Sequence, residues 1–586
     1  MMYISELKLW NFRKYGDTIF DIAHPHLVVP FKRGMNVLIG ENDSGKTAII
    51  DALKLVLRTN TFDSIRVQHD DFYEDSEALR IELLLDEMSE LEARNFTECA
   101  IPVMGKDYCQ LRLVLNATRK NGRILPYEIC AGATTDGRAL DAMMKANLRI
   151  TYLKPLRDAE NELTAKKNSR LSQILQSHEL LQETVGDVKH EFIKIFEDAN
   201  QKIENWFSND EGGEKSNRQQ IKGIVDSFLK QFIDNNSESR FFLSNPTMRN
   251  ILERIAIGIL NSHNLGLGTL NRLFMATELL HLRKSGDNLH VCLIEELEAH
   301  IHPQAQMKVI DGLLKENTVQ FIMTTHSPNI TSKIKLGNQS DRNNILMCKH
   351  KCVFPLGPGY TKLNEKDYKY LDHFLDVTKS NLFFAKGILL VEGWAEEILL
   401  PIIANKIGID FTQKEISIIN VGSTAYLHFA RIFMPQNGIE NPVKCAIITD
   451  LDVRPDTTAQ KEKEDSKKDA IIKKLGTRPT NIQLYVAKEW TLEWCLFNSP
   501  ILSKLFKDSV AAVHNKTMEF KKDERTMEYK DCFEDKLKEK LKDRSLDKVA
   551  VAQELASRIE EDTDLDFSKD DEYINYLLEA IRFVIS

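Results

Sequence analysis

The chain opens with MMYISELKLWNFRKYG, in which apolar and polar residues alternate with the period of a half-buried strand. A continuous apolar run, Met35–Ile39, leads into GENDSGKT and then into Ala48–Leu57, whose apolar spacing predicts a helix. Segments 79–85 and 109–115 predict further strands, and residues such as Arg119–Gly122 predict turns. From about 158 to 260 the pattern is helical, amphipathic and charged, and the polar stretch 209–218 predicts an exposed loop within it. A helix at 268–284, a strand at His290–Glu295, a helix at 303–315 and a strand at Val319–Thr324 are expected next. Residues 340–380 read as loop-rich, with FPLGPGY (354–360) as a domain boundary. Beyond it, Gly387–Val391, Ile416–Asn420, Cys445–Thr449 and Ile482–Val486 are short apolar runs separated by helical stretches, the alternation of a parallel sheet. The tail from 515 to 586 is helical and rich in lysine and glutamate.

At 586 residues, 42% hydrophobic and 28% charged, the composition is that of a multidomain globular protein. No apolar run approaches the roughly 20 residues that span a bilayer, and the N-terminus lacks the apolar block of a signal peptide. A cytoplasmic location with no membrane partner is the expectation. The nine cysteines have no disulfide-framework spacing. Cys348 and Cys352 bracket His350, but a zinc site needs about four ligands and no second pair lies near. The net charge of −9 gives no global attraction to nucleic acid, although phosphate binding depends on local basic groups and bound metal ions.

Gly40–Thr47 fits G-x-x-x-x-G-K-[ST], after a strand and before a helix, as a phosphate-cradling loop requires. Asn42, Gly45, Lys46 and Thr47 are the nucleotide-binding candidates: Lys46 reaches the β/γ-phosphates and Thr47 binds Mg²⁺. The apolar strand before Glu295 and Glu296 supplies the acidic half: Glu295 for Mg²⁺, Glu296 to polarise the attacking water. His326, at the end of the next strand in TTHSP, reads as a γ-phosphate sensor.

A second set of carboxylates follows. Glu392 ends one apolar run, and Glu396 lies four residues on, near a helix start. Asp450 and Asp452, two apart, end another run and face one site, and Glu493 follows a fourth. Acids gathered at the ends of parallel strands make a hard-oxygen site for Mg²⁺ or Mn²⁺, suited to phosphodiester cleavage.

GENDSGKT, LIEELEAHIHP and TTHSP resemble the motifs of ABC-type ATPase heads of the DNA-repair class, with Leu297 in place of the usual proline. NLGLGTLNRL (264–273) is a loose match to their signature motif. VEGWAEE, VGS (421–423), TDLD and TLE resemble a Toprim domain. A topoisomerase would need a tyrosine on a further domain, and a bacterial-type primase a zinc module; the chain offers neither. Together with LWNFRKYG (9–16) and YLKPLRDAENEL (152–163), the set resembles the OLD (overcoming lysogenization defect) nucleases, which include the Gabija nuclease subunit and some retron effectors.

That resemblance implies an α/β chain: an ATPase head at 1–157 and 261–378, split by a helical insertion at 158–260, then a Toprim domain with helical C-terminal segment at 379–586. The insertion is either a dimerisation element or a plain helical elaboration. The resemblance implies a metal-dependent DNA endonuclease or nickase in antiphage defence, using ATP, with one Mg²⁺ at the nucleotide and two Mg²⁺ or Mn²⁺ in the Toprim site. It implies a homo-oligomer acting on double-stranded DNA, with a helicase or a retron reverse transcriptase and its DNA as partners. In that family a lysine of the last helical region assists cleavage, and DKVAVAQELA (547–556) makes Lys548 the candidate. The rival reading is an ATPase switch whose Toprim domain binds DNA or a partner without cutting.

Overall fold

The computed structural model describes residues 2–59, 65–154, 162–185, 188–208, 217–233, 238–241, 246–262, 265–282, 289–336, 343–422, 425–436, 440–455, 460–476, 479–514, 527–567 and 570–586. Most of the expected loop 209–218, part of 152–163, Asn264, Ser423 and the first residues of the C-terminal tail lie outside them.

Tyr3–Trp10 pairs antiparallel with Leu27–Pro30 and Ala78–Met88, and the latter pairs with Cys109–Lys120, within an eight-stranded sheet. The alternation seen in the sequence places Ile4, Leu7 and Leu9 in the core.

A seven-stranded sheet carries the nucleotide motifs. Its order is Cys352–Pro355, Asn344–Lys349, Met35–Ile39, Gln320–Thr324, Val291–Ile294, Arg149–Leu153 and Arg58–Thr59. Every described pairing is parallel except that of Cys352–Pro355 with its neighbour. The strands Met35–Ile39, Val291–Ile294 and Gln320–Thr324 are buried at every position, which is why their sequences are unbroken apolar runs. Leu38 lies opposite Thr324, and Met323 opposite Ile294. The three strands therefore deliver Gly40, Glu295 and Thr325 to one edge.

Residues 340–380 differ from the loop-rich expectation. Asn344–Lys349 is a fully buried strand beside Met35–Ile39, Phe354 and Pro355 belong to the strand after it, and Glu365–Phe374 is a helix. NILMCK is short, buried on both faces and without alternation, so periodicity does not mark it.

The third sheet is parallel, in the order Ile416–Asn420, Gly387–Val391, Lys444–Thr449, Ile482–Val486. Its period of two sorts side chains between two cores. Ile388, Leu390, Cys445 and Ile447 share one core with Met323 and Met347 of the seven-stranded sheet. Leu389, Val391, Ala446 and Ile448 pack instead with the C-terminal helices Ser503–Val513, Lys548–Glu561 and Asn575–Ile585. One sheet thus joins the nucleotide-binding part on one face and the tail on the other.

The segment between Arg149–Leu153 and Leu267–Leu282 holds the helices Glu191–Ser208 and Asn217–Phe232, together with an antiparallel pairing of Thr184–Val185 with Val188–Lys189 that the sequence did not suggest. Among the described residues no helix is long and apolar enough to cross a membrane.

Candidate functional site

The loop Gly40–Gly45 needs its glycines. Gly45 has φ +100° and caps the helix Lys46–Val56, and a Cβ there would stand 2.1 Å from the Tyr15 hydroxyl. At Gly40, φ +146°, a Cβ would meet the Cys348 carbonyl oxygen at 2.4 Å. Lys46 is buried; its Nζ donates to the carbonyl oxygens of Gly40 (2.9 Å) and Glu41 (2.6 Å). Burial lowers the pKa of this ammonium, while Glu296 and Glu298 act the other way. Asn42 and Thr47 are exposed at the same loop.

Glu295 is buried and accepts a 2.7 Å hydrogen bond from the Tyr152 hydroxyl. Burial raises its pKa, and the Tyr152 bond opposes the rise. Glu296 is exposed with φ +45°, and its N–H donates to Thr324 Oγ1 at 3.2 Å. Glu298 accepts from the His326 N–H (2.6 Å) and the Thr325 hydroxyl (2.9 Å), so it sets the turn that presents the histidine. Burial, then the nearby Lys46 charge, lowers the His326 pKa, which favours the neutral ring. Tyr152 and Glu298 were missed in the sequence reading. The signal for Glu298 was available: a turn with successive backbone donors beside an acid-rich strand end needs an acceptor.

The second constellation lies in one cavity of about 670 Å³, lined by Glu392, Glu396, Asp450, Asp452, Glu493 and Lys548. Strands Gly387–Val391 and Lys444–Thr449 end at Glu392 and Asp450, the helix Trp394–Lys406 carries Glu396, and the helix Leu492–Asn498 carries Glu493. Lys548 begins the helix Lys548–Glu561, which Asp547 caps by accepting from the Ala550 N–H. All five predicted acids and the predicted lysine therefore meet, across more than 150 residues of chain (Glu392 to Lys548).

Burial pushes the Glu396 carboxyl up to about 7. Burial, and then the Glu493 and Glu396 charges, hold Asp450 well above the usual carboxylate range. Glu392 is raised by burial and accepts a hydrogen bond from the Thr449 hydroxyl. Asp450 accepts from the Leu492 N–H at 2.8 Å, and Lys548 Nζ donates to Glu493 at 2.8 Å. Burial works against the Lys548 ammonium, but the Glu493, Asp450 and Glu396 carboxylates hold its pKa above the ordinary lysine value. Among the described residues no three acid, histidine or cysteine side chains are already disposed around a single cation. Their chemistry nevertheless fits one: oxygen donors that repel one another, with Glu396 and Glu493 buried, Glu392 and Asp450 half-buried and Asp452 exposed, are relieved by a hard divalent ion. Arg454, Lys540, Lys542 and Arg544 line the same cavity as a basic rim. His350 and the cysteines beside it form no such group, and burial pushes the Cys348 thiol up to about 12.

Two family matches span segments of both constellations. Residues 2–101 and 143–331 match the AAA ATPase domain, spanning Gly40–Thr47, Glu295, Glu296 and His326. Residues 383–452 match the TOPRIM domain of overcoming lysogenization defect protein-like proteins, spanning Glu392, Glu396, Asp450 and Asp452. The chain is an AAA ATPase fused to an OLD-like TOPRIM domain. It is homologous to the endonuclease GajA of Bacillus cereus, 22% identical over 78% of each chain. It is also homologous to the OLD nuclease of Thermus scotoductus, 21% identical over 67% of this chain and 74% of that one. A solved C-terminal region of the Xanthomonas campestris pv. campestris OLD protein is 20% identical and covers 35% of this chain and 94% of its own, at a TM-score of 0.23. Glu493 and Lys548 lie beyond the TOPRIM match, and the fold brings them to it.

Proposed function

We propose that the chain is an ATP-binding, divalent-metal-dependent DNA endonuclease or nickase, with cleavage in the TOPRIM cavity and nucleotide at the AAA head regulating it. The observation that carries this reading is the meeting of five carboxylates and Lys548 in one cavity with a basic rim. A site that only gripped DNA would gain nothing from mutually repelling acids, which oppose phosphate.

In this reading Glu392, Glu396, Asp450, Asp452 and Glu493 hold Mg²⁺ or Mn²⁺. Ions held there would supply charge neutralisation at the scissile phosphate and would lower the pKa of a water so that hydroxide is available to attack. Lys548 keeps its proton beside the carboxylates and donates to a phosphoryl oxygen as negative charge builds there. At the head, Asn42, Gly45, Lys46 and Thr47 cradle the nucleotide, and Lys46 exchanges its loop carbonyl partners for phosphate oxygens. Glu295, oriented by Tyr152, serves the nucleotide's Mg²⁺; Glu296 polarises water, and neutral His326 reads the γ-phosphate.

A homodimer belongs to the same proposal. Ile221, Ile224, Phe228 and Phe232 recur at helical spacing on Asn217–Phe232, and all four are exposed, an apolar stripe suited to a second copy. The family likeness extends the proposal to antiphage defence in the cytoplasm, with a helicase or a retron reverse transcriptase and its DNA as partner class. Relaxation of supercoiled plasmid with Mg²⁺ or Mn²⁺ and none in EDTA is the expected result. DNA binding without cutting in every metal would favour the non-cleaving switch instead.

A further inference from the structure

Trp394 is the first residue of the helix Trp394–Lys406, set between Glu392 and Glu396, and it lines the same cavity as they do. The residue is 62% exposed, whereas Trp490, which lines the same cavity, is buried against Trp494 with ring centroids 5.8 Å apart. Among the described residues its indole has no ring or hydrogen-bond partner. A large flat apolar group left in water beside a charged site contributes nothing to the fold and cannot ligate a cation. Its place on the cavity lining suits contact with what enters the cavity. Lys542 and Arg544, both exposed, stand on the rim of that same cavity and offer cations to phosphates.

Cations for the backbone and an aromatic face for a base are the two requirements of single-strand recognition. In an intact duplex each base face is already covered by its neighbours, so the indole has nothing to stack on. An unpaired base beside the scissile phosphate has a free face.

We propose that Trp394 is a stacking platform for an unpaired base, so that the TOPRIM site selects DNA with unpaired nucleotides at the cut, as in flaps, gaps or single strands, over intact duplex. The proposal deepens the nuclease reading and rests on it.

Two measurements test it and keep the two readings apart. In the first, tryptophan emission of the full chain in EDTA is titrated with a single-stranded oligonucleotide and with a duplex of equal length. The single strand is expected to quench at concentrations about tenfold lower, the scale of one stacked base. Trp394→Phe should lose that quench while still binding the oligonucleotide by fluorescence anisotropy. In the second, cleavage with Mn²⁺ is compared on gapped and intact duplex. The gapped-to-intact rate ratio should be about tenfold in the wild type and in Trp394→Phe, and near one in Trp394→Ala. The ratio is read on Trp394→Ala that keeps the wild-type Tm, so that a general loss of structure is not mistaken for a preserved ratio. A full quench in Trp394→Phe, or a preserved ratio in Trp394→Ala, overturns the proposal. No response of the emission to any DNA also overturns it and assigns the indole to a protein surface. Quenching by single strands in a chain that cuts nothing supports the platform and removes the nuclease reading.

Discussion

Lys548 Nζ donates to Glu493 Oε2 at 2.8 Å, joining the last helical region to a carboxylate that follows the fourth strand of the TOPRIM sheet. Glu493 is buried while the Lys548 side chain keeps 45% of its surface exposed, so the lysine reaches from the rim into the acid cluster. One cation thus offsets part of the repulsion among the acids.

Two opposite effects should follow from Lys548→Ala. Loss of a charge that stabilises the transition state should slow cleavage about 10²–10³-fold. Loss of a competing cation beside Glu493 should leave divalent-ion affinity equal or tighter, measured by calorimetry with Mn²⁺. Weakened Mn²⁺ binding would make Lys548 a structural support for the acids instead.

The raised Glu396 and Asp450 carboxyls give a pH dependence whose sign can be fixed. A carboxyl raised by the fold favours the fold while protonated; that contribution is complete below its ordinary value and lost as pH rises through the folded value, about 7 for Glu396. The metal-free protein should therefore lose Tm between about pH 5 and 8, and Glu396→Gln should flatten that slope. Divalent ions need the ionised acids, so their stabilisation of the protein should grow over the same range, largest near about pH 8. A metal-induced Tm rise that is independent of pH would contradict the assignment.

Much of this site was legible in the sequence because strand ends are where a parallel sheet gathers its chemistry. Glu392 and Asp450 could be placed from their apolar runs alone. Lys548 could not: it stands in a lysine-rich tail where nothing local separates it from solvated neighbours, and only the packing of Lys548–Glu561 against Trp394–Lys406 brings it to the acids. The strand Asn344–Lys349 was hidden for a related reason, since an unbroken buried run carries no period. With it was hidden Lys349, which pairs with Glu41 of the phosphate loop and donates to the Ala385 carbonyl at 2.9 Å.

If the nucleotide regulates cleavage as proposed, that pairing is the contact expected to carry the coupling. Ala385 lies two residues before the first TOPRIM strand, and neighbouring Lys386 also approaches Glu41, at 4.0 Å. Lys349→Met should leave nucleotide affinity within about threefold, because Lys349 bonds the loop's acid rather than cradling phosphate, but bring the ratio of cleavage rates with and without ATP close to one. An unchanged ratio would place the coupling elsewhere.

The exposed stripe on Asn217–Phe232 should be needed for association. Phe228→Asp combined with Ile224→Asp should convert a dimer to a monomer in light scattering, at little cost to folding because both positions are exposed. A dimer that survives both changes would place the contact on other surfaces.

The most direct test of the central claim is nicking of supercoiled plasmid by the full chain and by Asp450→Ala, each with Mg²⁺, Mn²⁺ or EDTA. Asp450 is held by the Leu492 N–H and lines a cavity to which no residue of Gly40–Thr47 contributes, so its loss should leave ATP binding intact. The account predicts metal-dependent nicking by the wild type, none in EDTA, and a loss of at least about 10³-fold in Asp450→Ala. Undiminished nicking by Asp450→Ala would contradict it.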